Sequence, residues 1–182
     1  MSKDIFDDFI LEKKASEDII AKYTGKVPKE LLYVWNKYGF GTILNGYLKI
    51  INPEEIQEIL EEVYTRNQQA IPLFTTAMGD IIVWEKERYL NLLNFRKKVV
   101  SVISAGFDFF LDDLGDVSFL DEELNWKPYS EAVIKYGKPA FDECFGYVPI
   151  LGLGGPEKVK NLEIVKFIEH IYLITQFMGQ IE

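Results

Sequence analysis

Residues 72–104 constrain the fold more than any other part of the chain. Four short runs rich in β-branched and aromatic side chains follow one another there: Leu73-Phe74-Thr75-Thr76, Ile81-Ile82-Val83-Trp84, residues 89–95 and residues 99–103. Such side chains pack well on a pleated surface, and runs this short are strands rather than helices. Turn residues separate them closely, most clearly Met78-Gly79-Asp80, so neighbouring runs pair antiparallel through hairpins. The expectation is an antiparallel meander of about four strands, joined by a further short strand over residues 46–51.

Helical patterns flank this sheet. Asn52-Pro53-Glu54-Glu55 combines a capping residue, a first-turn proline and acids favoured by the helix dipole. Beyond it Ile56, Ile59, Leu60 and Val63 recur at helical spacing, with the glutamates between Glu54 and Glu62 on the other side. Pro28 opens a second helix carrying Leu31, Leu32, Trp35 and Tyr38, which Gly39 stops, and Gly39-Phe40-Gly41 reads as that stop followed by a turn. Ser16-Glu17-Asp18 caps a shorter helix with Ile19, Ile20 and Tyr23, and Ile5, Phe6, Phe9 and Ile10 also share a helical face. After residues 104–106 the texture changes. Helical patterns occupy residues 107–114, 118–124 and 129–136, a buried strand is expected over 145–151, and strand-like Leu162-Glu163-Ile164-Val165 leads to a helix with Ile168, Ile171, Tyr172 and Thr175, the junction unplaced. The fold class is therefore α+β: an antiparallel meander sheet flanked by helices, with a smaller mixed α/β C-terminal subdomain. The division expected is 1–105 and 106–182, packed as one compact unit. With 182 residues, 48% of them hydrophobic, the chain buries roughly 70% of its unfolded surface.

The chemistry expected of the chain is limited. The apolar runs, such as residues 81–84 and 99–103, fall far short of the roughly 20 residues that span a bilayer. The amino end, Met1 to Asp8, is acidic where a secretory signal is basic and then apolar, and the single cysteine agrees with a reducing compartment, so a cytoplasmic location is expected. One histidine, His170, lies beside Glu169, no Gly-x-Ser-x-Gly turn occurs, and Cys144 sits between Glu143 and Phe145 without a nearby cation. These features argue against nucleophilic catalysis and against an enzyme; no cofactor or metal is expected. The glycines from Gly152 to Gly155 fail as a dinucleotide fingerprint because Glu157 stands where the third glycine belongs.

Charge is the informative feature. Of the formal net charge of −9, residues 1–100 carry 14 basic and 15 acidic side chains (−1) and residues 101–182 carry 6 and 14 (−8). Between Gly106 and Trp126 there is no basic residue but seven acids: Asp108, Asp112, Asp113, Asp116, Asp121, Glu122 and Glu123. Three readings compete: a solvated surface, a contact surface for a basic protein, and carboxylates for a divalent cation or acid–base work. The third lacks the alternating acids of a calcium loop, since Leu114 holds the third place after Asp112. Interleaved Phe109, Phe110, Leu111, Leu114, Phe119 and Leu120 favour the contact surface, with Phe109, Phe119 and Trp126 as candidate anchors. Nucleic acid would be repelled and a basic protein attracted.

Three stretches carry a resemblance. Val27-Pro28-Lys29-Glu30-Leu31-Leu32-Tyr33-Val34-Trp35-Asn36-Lys37-Tyr38-Gly39-Phe40-Gly41, continuing through Gly46-Tyr47-Leu48 to Asn52-Pro53, resembles the opening of the bacterial GAD-like domain family. Thr76-Ala77-Met78-Gly79-Asp80 to Trp84 is similar to that family's central hairpin, and Phe145-Gly146-Tyr147-Val148-Pro149-Ile150-Leu151-Gly152-Leu153-Gly154-Gly155 with Glu169-His170 resembles its carboxy-terminal immunity domain. The resemblance implies a cytoplasmic immunity protein, without enzymatic activity, that neutralises a toxic nuclease, a DNase, delivered by type VI or related contact-dependent secretion. It would do so by occluding the toxin's basic DNA-binding or active-site face, with no direct contact to nucleic acid or membrane. Trp35, Tyr38, Gly39, Pro53, Gly79, Trp84 and Gly155 are expected to be scaffold; the toxin-facing residues are expected among the seven acids. The alternatives are a metal-dependent or small-ligand enzyme domain using Asp112, Asp113 and Asp116, and a regulatory scaffold for a non-toxin partner.

Overall fold

The computed structural model describes residues 4–182; of the acidic amino end, Met1 to Lys3 lie outside the described residues. Seven strands form one antiparallel sheet in sequence order: β1 (Ile10–Lys13), β2 (Phe40–Ile43), β3 (Leu48–Ile50), β4 (Ala70–Thr76), β5 (Ile81–Glu85), β6 (Tyr89–Asn94) and β7 (Val99–Ser104). Helices α1 (Glu17–Tyr23) and α2 (Lys29–Lys37) precede β2, and α3 (Pro53–Val63) precedes β4. After the sheet come α4 (Phe107–Asp113), α5 (Val117–Glu123) and α6 (Lys127–Tyr136), then a two-stranded ribbon of β8 (Glu143–Tyr147) with β9 (Leu162–Lys166), and α7 (Phe167–Met178). The class is α+β, with β3 the short strand expected over residues 46–51 and the sheet extended beyond expectation by β1 and β2.

The sheet separates two cores. On β5, Ile82 and Trp84 face Leu31 and Trp35 of α2, Phe107 and Phe110 of α4, and Tyr129 of α6, whereas Ile81 and Val83 face Ile59 and Leu60 of α3 and Phe167, Ile171 and Ile174 of α7. Burial on both faces explains why β5 is an unbroken apolar run instead of an alternating one. Both cores take side chains from either side of residue 105.

Local signals placed most helices. Asn52 accepts from the Glu54 amide at 3.1 Å and Pro53 opens α3, and Ser16 accepts from the Ile19 amide at 3.3 Å at the start of α1. Gly79 makes the β4–β5 turn at φ +85°, with Thr76 Oγ1 donating to Asp80 and accepting from the Met78 and Asp80 amides.

Three expectations are corrected. Ile5, Phe6, Phe9 and Ile10 do not share a helix: residues 5–8 form turns and Ile10 starts β1, whose backbone pairs with β2 thirty residues away. Phe40 and Gly41 are not a turn but the start of β2; Gly41 suits that place because a Cβ there would run into Phe9 and the Ile10 carbonyl. The strand expected over 145–151 covers Glu143–Tyr147 and stops ahead of Pro149, which has no amide to donate and is followed by a 3-10 turn at Leu151–Leu153. The last junction falls between Lys166 and Phe167.

Candidate functional site

The seven acids lie on α4, α5 and the turn between them. The turn is tight: Gly115 donates its amide to the Asp112 carbonyl and Asp116 to that of Asp113. Asp116 also caps α5, its Oδ1 accepting from the Ser118 amide at 2.8 Å. Asp108, Asp112, Asp116, Glu122 and Glu123 are exposed, and Asp113 and Asp121 are half-buried. Among the described residues none of the seven forms an ion pair, although Glu54 and Glu55 on α3 meet Lys22 and Lys13.

Position along the helices makes this arrangement costly. Asp112 and Asp113 close α4, and Glu122 and Glu123 close α5, where the helix dipole presents its negative end. Each unpaired acid at such an end costs about 0.3–1 kcal/mol. These four carboxylates therefore do not serve local stability, whereas Asp108 in the first turn of α4 and Asp116 at the cap of α5 stand where acids are favoured.

Beneath them the platform is firmly attached. Phe107 and Phe110 pack on Phe74 of β4, with the Phe74 and Phe110 centroids 5.5 Å apart. Tyr47 donates its hydroxyl to the Leu124 carbonyl and meets the rings of Trp126 and Tyr129 at 4.9 and 5.0 Å, while Tyr129 donates to the Asn45 carbonyl at 2.9 Å. Of the candidate anchors, Phe109 projects outward at 69% exposure; Phe119 and Trp126 are half-buried. Beside α4, Leu111 joins Phe6, Tyr33, Val34 and Tyr38 around an open groove of 610 Å³.

His170 and Cys144, the groups that nucleophilic catalysis would need, are buried. His170 lies against Gly146, and burial, with Arg96 adding to it, holds its imidazole down to about 4. Burial pushes the Cys144 thiol up to about 12. Asp112 and Asp113 end one helix and Asp116 caps the next, and among the described residues no three His, Cys, Asp or Glu side chains converge as metal ligands.

The residues singled out as scaffold lie as follows. Trp35 is buried in edge contact with Tyr23 and Phe40 at 5.8 and 5.5 Å; Tyr38 stacks on Phe6 at 4.5 Å; Gly39 ends α2 at φ +87°; and Trp84 is buried on β5. A Cβ at Gly155 would strike the Pro149 and Ile150 carbonyls.

Sequence reasoning missed two buried cations. Lys49 on β3 donates to the carbonyls of Ala140 (2.8 Å), Phe141 (3.0 Å) and Glu143, fastening the segment before β8 to the sheet, and burial lowers its ammonium to about 8. Arg96, in the β6–β7 turn, pairs with Asp80 at 3.2 Å and donates to the Met78 carbonyl. A lysine inside an apolar strand was the one available signal. Among the described residues no helix is long and apolar enough to cross a membrane.

Comparison with known proteins adds two families and one fold. Residues 4–95 match the GAD-like domain, and residues 104–178 match the C-terminal region of the T6SS immunity protein Tdi1. The fold is similar to the crystal structure of Atu4351 from Agrobacterium tumefaciens, with a TM-score of 0.74 at 19% identity over 97% of this chain and 89% of that one. No curated protein matches the chain.

Proposed function

The chain belongs to the GAD-like domain family, and because residues 104–178 also match a type VI secretion immunity domain, we propose that it is an immunity protein that binds and neutralises a secreted toxin. Its partner is a basic protein, a DNase, met in the cytoplasm and blocked at the face with which it grips DNA. The chain itself does no chemistry. The observation that supports the contact face is the set of unpaired carboxylates at the C-terminal ends of α4 and α5, kept where they cost stability. A nuclease needs cations to hold phosphates, so an acidic surface on a rigid platform competes for the same groove and accelerates encounter.

The test is association kinetics with the basic protein encoded by the adjacent open reading frame, using Asp112→Lys, Glu122→Lys and Glu123→Lys together. These positions are exposed, and lysine there complements the helix dipole, so the variant should melt no lower than the parent. Its on-rate should fall by at least about tenfold at low salt and match the parent near 1 M, where the screening length is roughly 3 Å. An on-rate indifferent to both changes would move the contact to the glutamates of α3.

A further inference from the structure

The two edges of the large sheet are finished differently. β1 is four residues long, carries Glu12 and Lys13, and loses register with β2 between Leu11 and Lys13; each of these discourages pairing with another chain. β7 reads Val-Val-Ser-Val-Ile-Ser, with no charge and no proline, and among the described residues it pairs only with β6. Val99 to Val102 run in unbroken register with Asn94 to Asn91, and the irregularity in β7 comes after them. Val99 and Val102 are 51% and 59% exposed, and as an odd and an even position they face opposite sides of the sheet. Lysines beside an edge usually guard it, but here both are engaged elsewhere: Lys97 pairs with Glu157 at 2.9 Å and Lys98 donates to the Met178 carbonyl. Among the described residues no hydrogen bond from another element reaches β7's outer side.

This open edge runs directly into the acidic face. Gly106 follows the strand with the ring of Phe109 above it, 3.2 Å from where a Cβ would stand, and Asp108 and Asp112 lie on the helix that Phe109 begins to expose. We propose that β7 is a strand-addition site: an extended segment of the basic partner pairs with Val99 to Val102 and lays its cations over Asp108 and Asp112. This rests on the immunity reading and supplies what that reading lacks, a source of slow dissociation. Main-chain hydrogen bonds would give the affinity, exposed Val99, Val102 and Phe109 the apolar contacts, and the carboxylates the choice of a basic partner. A second copy fits less well, because each chain brings a net charge of −9.

Hydrogen exchange of the full chain, alone and with the catalytically inactivated protein encoded next door, tests this. Amides of residues 99–102 that exchange freely in the chain alone should slow by at least about tenfold in the complex. Val99→Glu and Val102→Glu together put guarding charges on the edge without reducing the acidic field. They should raise the off-rate by about tenfold or more, leave the on-rate and melting temperature near those of the parent, and leave the exchange of β5 unchanged. A complex in which residues 99–102 stay unprotected, or which the variant forms with parental lifetime, overturns strand addition and leaves the immunity reading standing. No complex at all overturns both. A parent that sediments as a dimer, with the variant a monomer, assigns the edge to a second copy and also overturns the proposal.

Discussion

The buried Asp80–Arg96 pair carries a prediction that can be worked through. Its side chains are 0% and 2% exposed, with Arg96 Nη1 3.2 Å from Asp80 Oδ1, and Thr76 donates to Oδ2 at 2.7 Å. Among the described residues Arg96 Nε and Nη2 have no hydrogen-bond partner, so the guanidinium depends on Asp80 and the Met78 carbonyl. Removing either member leaves a buried charge uncompensated, which costs about 3–5 kcal/mol, whereas removing both also removes the charge to be solvated. Arg96→Met and Asp80→Ala should each lose about 3–5 kcal/mol in urea unfolding at pH 7, or roughly 6–20 °C in melting temperature for a chain of this size. The double variant should lose less than the sum by at least about 2 kcal/mol. The pH dependence gives a second, signed check. Burial already pushes the Asp80 carboxyl above its ordinary value against the pull of Arg96 and Thr76, and in Arg96→Met it rises further. The folded variant then holds a proton that the unfolded chain, titrating near about 3.9, has released. Its stability is therefore greatest at acid pH and falls, relative to the parent, as pH rises through the raised value. Additive losses, or a deficit that does not change with pH, would refute the coupling.

Two further outcomes follow from buried side chains. His170, held down to about 4 against about 6.5 when unfolded, should make the parent lose about 3 kcal/mol as pH falls between those values, because the unfolded chain binds the extra proton; His170→Gln should remove that slope in urea titrations at pH 4 to 6.5, and an unchanged slope would assign it to carboxylates. Trp35→Ala should lose about 3–5 kcal/mol from the cavity between Tyr23 and Phe40, and a variant that melts like the parent but fails to bind its partner would make Trp35 a contact residue.

What could be read from the chain followed from how local each signal was. The cap and proline of α3, the stop at Gly39 and the Gly79 turn act within a few residues, and each is present as expected. β1 was hidden because its reason for being a strand is β2, and its own apolar residues, Ile10 and Leu11, are exposed. Lys49 and Arg96 were unreadable for a similar reason. The carbonyls that hold Lys49 lie more than ninety residues along the chain, and Arg96 sits in a turn beside Lys97 and Lys98, where a cation ordinarily meets water. The acidic segment stood out because counting charge requires no fold. The helices expected over 107–114 and 118–124 already set Asp112, Asp113, Glu122 and Glu123 near C-terminal ends; that Asp116 caps the second helix emerged only with the structure.

The sharing of both cores across the sheet bears on how such a chain can diversify. Phe107, Phe110 and Tyr129 are lining for the same interior as Trp35 and Phe74, and Lys49 of β3 holds the backbone that leads into β8. Exchange of the whole second half between relatives would therefore bring in side chains shaped for another sheet. Point substitution on the outer surfaces of α4 and α5 meets no such obstacle, because nothing inside the molecule registers it. A lineage that must keep pace with changing partners is best served by altering charges on that surface one at a time, with the interior inherited intact.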